Sequence, residues 1–263
     1  MKTIGFIGMG NMAQAIVRGF HRAEVINKEN IFAYAPHWDK LLKNAEDVGF
    51  IPCKTTNEMI DSADLVVLAC KPYQIEAVLA ENKEKLKGKA VVSIAYGWTL
   101  EKAKPYLPEN TRYQYIVPNT PVSVCSGILL VEEENSLSDS ESRFTEALFG
   151  GIGNYMKLPT GNMGAANALA GCGPAFIAMI IEALGDAGVK HGLARQQAYS
   201  LASGVMEGTA KMQKETGLHP GVMKDQVCSP EGVTIRGVAA LEEAGMRNAF
   251  FKAVDATFKK TTD

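Results

Sequence analysis

The sequence is poor in the residues that hold metals or staple small folds. Its 263 residues include 5 cysteines and 4 histidines. Cys53, Cys70, Cys125, Cys172 and Cys228 are widely spaced, odd in number and form no C-x-x-C pair. That pattern reads as reduced thiols and points to a cytoplasmic protein. His21, His37, His191 and His219 have no cysteine pair beside them, so the spacing of a structural zinc site is missing and no metal is expected. An excess of one charge is also lacking. The chain has 27 basic and 29 acidic residues, a net charge of -2, and no long basic run. Nucleic acid is therefore not an expected partner. A small anionic ligand has to be held by local geometry, because no global field attracts it. No segment reads as the ~20 apolar residues of a membrane span, so no membrane is expected either. A strand beginning at Thr3 leaves no room for a signal peptide before it.

What is present suits a globular chain. At 46% hydrophobic and 21% charged residues there is material for a sizeable core. The length favours two domains, at roughly 100–200 residues each. The first half alternates strands and helices. Strands are expected at Thr3–Gly8, Asn30–Ala35, Asp64–Cys70, Ala90–Ala95, Arg112–Val117, Gly127–Glu132 and Gly153–Leu158, and helices at Asn11–Arg22, Asp39–Val48 and Ser138–Phe149. Such alternation predicts a doubly wound, Rossmann-type α/β sheet, parallel and covered by helices on both faces. After about residue 160 no strand is expected. Long helices are read at Gly161–Gly188 and Arg195–Glu215, another opening at Ser229–Pro230 and a last at Asn248–Lys260. The predicted division is 1–160 and 161–263, an α/β domain followed by an all-α domain. The Gly161–Gly188 helix is apolar around most of its surface, which calls for burial on nearly all sides. A homodimer at least, built by packing these helices together, supplies that burial, and packing against the first domain is the alternative.

Gly8-Met9-Gly10-Asn11-Met12-Ala13 matches G-x-G-x-x-A, follows a strand and opens a helix. In that setting it reads as a dinucleotide fingerprint. Gly8 permits the tight turn, Gly10 lets the pyrophosphate approach the backbone and Ala13 allows close helix–strand packing. The helix start then offers free N–H groups to phosphate. The second strand ends Ala33-Tyr34-Ala35-Pro36-His37, with no acid to take the ribose diol of NADH. His37 and Lys40 are nearby cations, so NADPH is expected as the cofactor, with NADH less preferred. Ala69-Cys70-Lys71-Pro72 closes another strand at the edge where such folds bind ligands. Far downstream, Asp225-Gln226-Val227-Cys228-Ser229-Pro230-Glu231-Gly232-Val233-Thr234 leads into a helix whose start can hold a carboxylate. On physical grounds alone this stretch reads equally well as ordinary Ser–Pro capping.

The segments FIGMGNMAQAIVRG, ACKP, SIAYGWTL, PNTP, AGCGPAFIAMIIEAL and DQVCSPEGVTIRGVAALEE, in that order, resemble the pyrroline-5-carboxylate reductases over essentially the whole chain. The resemblance implies an NADPH-binding Rossmann domain and a helical dimerisation domain. It implies reduction of 1-pyrroline-5-carboxylate to L-proline, the final step of proline biosynthesis. Gly8, Gly10, Asn11, Met12 and Ala13 would hold the pyrophosphate. Tyr34 would lie at the 2′-phosphate, and Ala69, Lys71 and Ala95 would line the cofactor groove. Ser229, Gly232, Val233 and Thr234 would bind substrate, with Thr234 at the ring nitrogen as the catalytic residue. Three positions depart from the family pattern: Glu231 replaces glycine, Cys172 replaces serine, and Tyr34-Ala35-Pro36 lacks the Ser/Asn/Arg group common at the 2′-phosphate. A β-hydroxyacid-dehydrogenase-like oxidoreductase is the nearest alternative, but Gly161–Val189 holds no lysine to act as its acid/base. A non-catalytic NADP(H)-binding regulator is another, though such a sensor has no use for an imine pocket.

Overall fold

The computed structural model describes residues 2–258. The chain divides into two compact units, Met1–Pro174 and Ala175–Asp263.

In the first unit, β1 (Ile4–Ile7), β2 (Ile31–Tyr34), β3 (Ile51–Pro52), β4 (Leu65–Leu68), β5 (Ala90–Ser93), β6 (Arg112–Pro118), β7 (Gly127–Glu132) and β8 (Gly153–Leu158) form one sheet in the order β3-β2-β1-β4-β5-β6-β7-β8. Pairing from β3 to β6 is parallel. The expectation of a parallel sheet meets one exception: β7 runs antiparallel to β6, and β8 then runs parallel to β7. The reason is the connection. A parallel crossover needs a dozen or more residues, and between β6 and β7 the chain makes only a 3-10 turn at Thr120–Val124, ended by Cys125 at φ 57°.

The helices of this unit are α1 (Asn11–Arg22), α2 (Trp38–Val48), α3 (Thr56–Ser62), α4 (Ile75–Glu81), α5 (Lys83–Leu86), α6 (Leu100–Ala103), α7 (Asp139–Gly150) and α8 (Met163–Ala170). Local signals set several starts. Thr55 caps α3 by accepting from the Glu58 amide, and Ser138 and Glu141 form a reciprocal capping box on α7. Successive strand residues point to opposite faces of the sheet. Leu65 and Val67 therefore join Phe6, Ile16, Val17, Phe20 and Phe149 in one apolar layer, while Val66 and Leu68 join Ile7, Met59, Ile60, Tyr113 and Tyr115 in the other. Burial on both faces accounts for the unbroken apolar run of β4.

The long helix expected over Gly161–Gly188 is broken. It is α8 followed by α9 (Gly173–Lys190), with Gly171 and Cys172 between them. Pro174 cannot donate to the carbonyl of Ala170, four residues back. The buried Asn119 replaces that donor, giving Nδ2 to Ala170 O at 2.9 Å while its Oδ1 accepts from Ile128 N at 2.8 Å. The helical run Thr160–Lys190 is also long and apolar enough to cross a membrane by length and composition. This corrects the expectation that no such segment exists; glycines and alanines spread the apolar character over the run without one unbroken block.

The second unit is helical throughout its described residues: most of α9, then α10 (Arg195–Thr216), α11 (Pro220–Gln226), α12 (Val233–Glu243) and α13 (Met246–Phe258). The expected end at Lys260 lies outside the described residues. Arg195 pairs with Asp186 across the α9–α10 turn. Among its described residues few large side chains are hidden; Ala198, Ala202 and Met223 are the buried apolar ones.

Candidate active site

The first group of candidate residues lies along the carboxyl edge of the sheet, where β1 stands between β2 and β4 and the chain reverses its direction of winding. Gly8 follows β1. Its amide donates to Tyr34 O, at the end of β2, at 2.8 Å, and the amide of Ala69, past β4, donates to Ile7 O at 2.9 Å. Next along the edge, Ile94 N reaches Leu68 O at 3.1 Å and brings Ala95 alongside. Tyr34, Gly8, Ala69 and Ala95 thus mark the ends of four neighbouring strands. Gly8 has a φ of 101°, and a Cβ on it would come within 2.8 Å of Ala69 O, so only glycine fits.

The turn continues into the start of α1. Gly10 is the N-cap, without a side-chain cap hydrogen bond, and the first turn of α1 carries no acid. A Cβ on Gly10 would meet nothing within 4 Å, so the space before the helix is open. Asn11 is exposed, Met12 half-buried, and Ala13 is buried in the core beneath. Gln14 Nε2 fixes the turn by donating to Met9 O at 3.1 Å. Open space over free amides at a helix start is what a pyrophosphate requires, so the residues present fit a dinucleotide. Lys71 is exposed beside this edge, its amide held by Gln74 Oε1 at 3.0 Å. Burial pushes the Cys70 thiol up to about 11, which keeps it protonated and unreactive at neutral pH.

The loop after β5 is held by buried polar groups that periodicity does not reveal. The Gly97 amide donates to Tyr115 Oη at 2.8 Å, Tyr113 Oη donates to Trp98 O at 2.6 Å, and Trp98 Nε1 donates to Pro72 O at 2.8 Å. Glu132, 1% exposed, closes the network. Its carboxylate accepts from Leu100 N at 2.8 Å and from Thr160 Oγ1 at 2.7 Å. Glu132 and Asn119 were not among the expected site residues. The only sign of Glu132 in the sequence is an acid ending the apolar run GILLVE.

The second group stands at the start of α12. The structure corrects the expectation that Ser229 and Pro230 open this helix. Ser229 to Gly232 instead form a tight turn, with Gly232 N donating to Ser229 O at 3.0 Å, and α12 begins at Val233 with Gly232 as its N-cap. Pro230 suits the second place of such a turn as well as the first of a helix, so the dipeptide alone does not decide. A Cβ on Gly232 would lie 2.3 Å from Ser229 Oγ, which accounts for glycine there. The N-cap offers no side-chain hydrogen bond, and the first turn of α12 has no acid. Ser229, Val233 and Thr234 are exposed. The leading amides of α12 can therefore receive a carboxylate, and the Thr234 hydroxyl can donate and accept beside them. Among the described residues no group of three or more His, Cys, Asp or Glu is arranged to hold a metal ion.

A family model described as pyrroline-5-carboxylate reductase dimerisation matches residues 161–263, and one described as NADP oxidoreductase coenzyme F420-dependent matches residues 3–97. The pyrroline-5-carboxylate reductase of Treponema pallidum (strain Nichols) is 36% identical, over 98% of this chain and 100% of that protein. That of Escherichia coli (strain K12) is 35% identical, over 99% and 97%. The crystal structure of Plasmodium falciparum pyrroline carboxylate reductase with NADP bound superposes with a TM-score of 0.89 at 28% identity, over 97% of this chain and 95% of that one.

Proposed function

The chain belongs to the pyrroline-5-carboxylate reductase family, and on that premise we propose that it reduces 1-pyrroline-5-carboxylate to L-proline with NAD(P)H. The observation that carries this reading is the α12 start: an uncapped, acid-free helix N-terminus followed by a hydroxyl, in a chain whose first glycine turn fits a dinucleotide. When bound, the dinucleotide supplies a hydride to an electrophilic C=N carbon.

The protein's own task is then mainly to place and orient. The Gly8–Ala13 turn would cradle the pyrophosphate through Gly10, Asn11 and Met12, with Tyr34 at the adenosine end and Ala69, Lys71 and Ala95 along the groove. Ser229, Gly232 and Val233 would hold the substrate carboxylate on backbone amides. Thr234 would hydrogen-bond the ring nitrogen. It accepts from that nitrogen while it is protonated, and the C=N carbon stays electrophilic without a strong general acid.

Three finer readings accompany this one. The cofactor is NADPH in preference to NADH, because the end of β2 carries no acid from Ala33 to His37, while Lys40 brings positive charge and His37 a ring N–H that can donate to phosphate. The functional division is 1–160 for the cofactor and 161–263 for substrate and dimerisation, supported by the span of the dimerisation match. The working form is a homodimer at least, in the cytoplasm. Exposed apolar side chains on its helices support the first point (Leu169 at 67%, Met179 at 68%, Phe251 at 73%), and five unpaired thiols support the second. The direct test is consumption of NADPH with 1-pyrroline-5-carboxylate and identification of the product. Proline in equal amount to oxidised cofactor is expected; no turnover rejects the activity.

A further inference from the structure

Along the carboxyl edge of the sheet the glycine turn stands at the end of β1, with Tyr34 on one side of it at the end of β2 and Ala95 on the other, past the end of β5. β5 lies two strands from β1, about 10 Å at the usual strand spacing. That is the reach of one ribose and its base from a pyrophosphate held at Gly8–Ala13. A dinucleotide laid across this edge with its adenosine toward Tyr34 therefore brings its nicotinamide to the end of β5. The residue that follows Ala95 there is Tyr96, 53% exposed. From Ala90 to Leu100 every residue but Tyr96 is buried or half-buried.

The loop that carries Tyr96 is tied down on both sides of it. Ala95 N donates to Ser93 Oγ at 3.3 Å, and Trp98 N donates to Ala95 O at 3.2 Å, closing a turn around Tyr96 and Gly97. Gly97 N donates to Tyr115 Oη, Trp98 O accepts from Tyr113 Oη, and Trp98 Nε1 donates to Pro72 O. Pro72 belongs to the loop after β4, so this last bond also sets the spacing between the two loops. The Tyr96 side chain stays close to that frame. Burial pushes the Tyr115 phenol above its usual range, against the pull of the Gly97 hydrogen bond, and the nearby Tyr96 phenol adds to the rise. A lone exposed tyrosine on a surface loop needs no explanation. Tyr96 differs in being presented by a fixed backbone at the place where an aromatic ring of the cofactor arrives. Tyr73 is more exposed, but it stands four residues beyond Ala69, past Lys71 and Pro72, whereas Tyr96 follows Ala95 directly. We propose that the ring of Tyr96 packs against the nicotinamide of the bound dinucleotide and positions it, covering one face and leaving the other for hydride transfer. The inference rests on the reading of the Gly8–Ala13 turn as the pyrophosphate site.

Two ligands that differ only by the nicotinamide test it: NADP+ and 2′-phospho-ADP-ribose. Their dissociation constants are measured by titration calorimetry for the native protein, Tyr96→Phe, Tyr96→Ala and Tyr73→Ala. Tyr96→Ala is expected to bind NADP+ about three- to tenfold more weakly, the contribution of one aromatic pair, and to bind 2′-phospho-ADP-ribose as the native protein does. Tyr96→Phe keeps the ring and should bind both ligands as the native protein does, and so should Tyr73→Ala. Unchanged NADP+ binding in Tyr96→Ala overturns the proposal. So does a parallel loss of both ligands, which would mark a structural role of the loop. A loss in Tyr96→Phe as large as in Tyr96→Ala, which would trace the effect to the hydroxyl, or an equal loss in Tyr73→Ala, overturns it as well. Failure of the native protein to bind either ligand would instead reject the dinucleotide reading of the glycine turn.

Discussion

In the first unit, α1 hides Ile16, Val17 and Phe20 completely, whereas in the second unit α10 leaves Leu201 and Val205 58% and 64% exposed. The sheet accounts for the contrast. It offers two faces, each covered by helices of the same unit, so the apolar stripe of α1 has somewhere to go. The second unit has no sheet of its own among the described residues, and small residues do much of the joining of its helices: Gly185 comes up against the ring of Tyr199, and Gly188 against Ala198. The larger apolar side chains are left facing outward. The first unit carries its core within itself. The second displays apolar surface of the kind a symmetric partner covers.

Charging the displayed surface should have the largest effect. Leu201→Asp combined with Val205→Asp is expected to convert the proposed homodimer to a species near the chain mass of 28.3 kDa by light scattering. The dissociation constant of the dimer should rise by more than about 100-fold, since each charge forced into an apolar interface costs several kcal/mol. A fully active dimer would show that α10 does not face a partner.

The catalytic reading comes next in size. Thr234→Ala should lower kcat/KM by about 5- to 30-fold, the loss of about one to two kcal/mol of transition-state hydrogen bonding. The melting temperature should stay close to native, because the residue is exposed. Unchanged kinetics would remove Thr234 from the site.

A smaller effect probes the first unit. Arg112 at the start of β6 grips Glu141 of α7, with Nε at 2.8 Å from both carboxylate oxygens. Burial raises the Glu141 carboxyl, but hydrogen bonds from Arg112 and Ser138 outweigh it and hold the group below the ordinary carboxylate range. A depressed carboxyl contributes stability above its unfolded value and loses it as pH falls through the folded one. Glu141→Gln should therefore be about 1–2 kcal/mol less stable than native at pH 7. The gap should shrink below about pH 4.5, where the unfolded chain's carboxyl begins to take up protons, and close at lower pH as the folded carboxyl does. Denaturant melts at both pH values check this, and a gap that does not depend on pH would contradict it.

The smallest effect concerns the cofactor. KM for NADPH is expected to lie below KM for NADH, and His37→Ala with Lys40→Ala should narrow the difference by about 2- to 5-fold, as suits exposed charges screened by salt. A native preference for NADH would reverse the assignment.

The contrast between the units also explains what could be read from the sequence. The glycine turn at Gly8, the buried run of β4 and the helix begun at Ser138 are local signals, and each stands where periodicity and turn chemistry placed it. The antiparallel β7 was missed because strand pattern is silent on direction; only the short connection at Thr120–Val124 decides it. The break at Gly171–Cys172 depends on Pro174 together with Asn119, 51 positions away from the carbonyl it satisfies. Glu132 and its donors Leu100 and Thr160 are likewise separated by tens of residues. The start of α12 went astray for a different reason. Ser–Pro serves a cap and a turn equally well, and it is the positive φ of Glu231 that commits it to the turn.

The central claim is hydride transfer from the nicotinamide to the imine carbon of a cyclic imino acid. The most direct measurement is mass analysis of the product formed from 1-pyrroline-5-carboxylate with NADPH carrying deuterium at nicotinamide C4, prepared separately on each face. The account predicts proline with one deuterium, from one face only, at the ring carbon that was double-bonded to nitrogen. NADPH consumed without labelled proline from either preparation would contradict it.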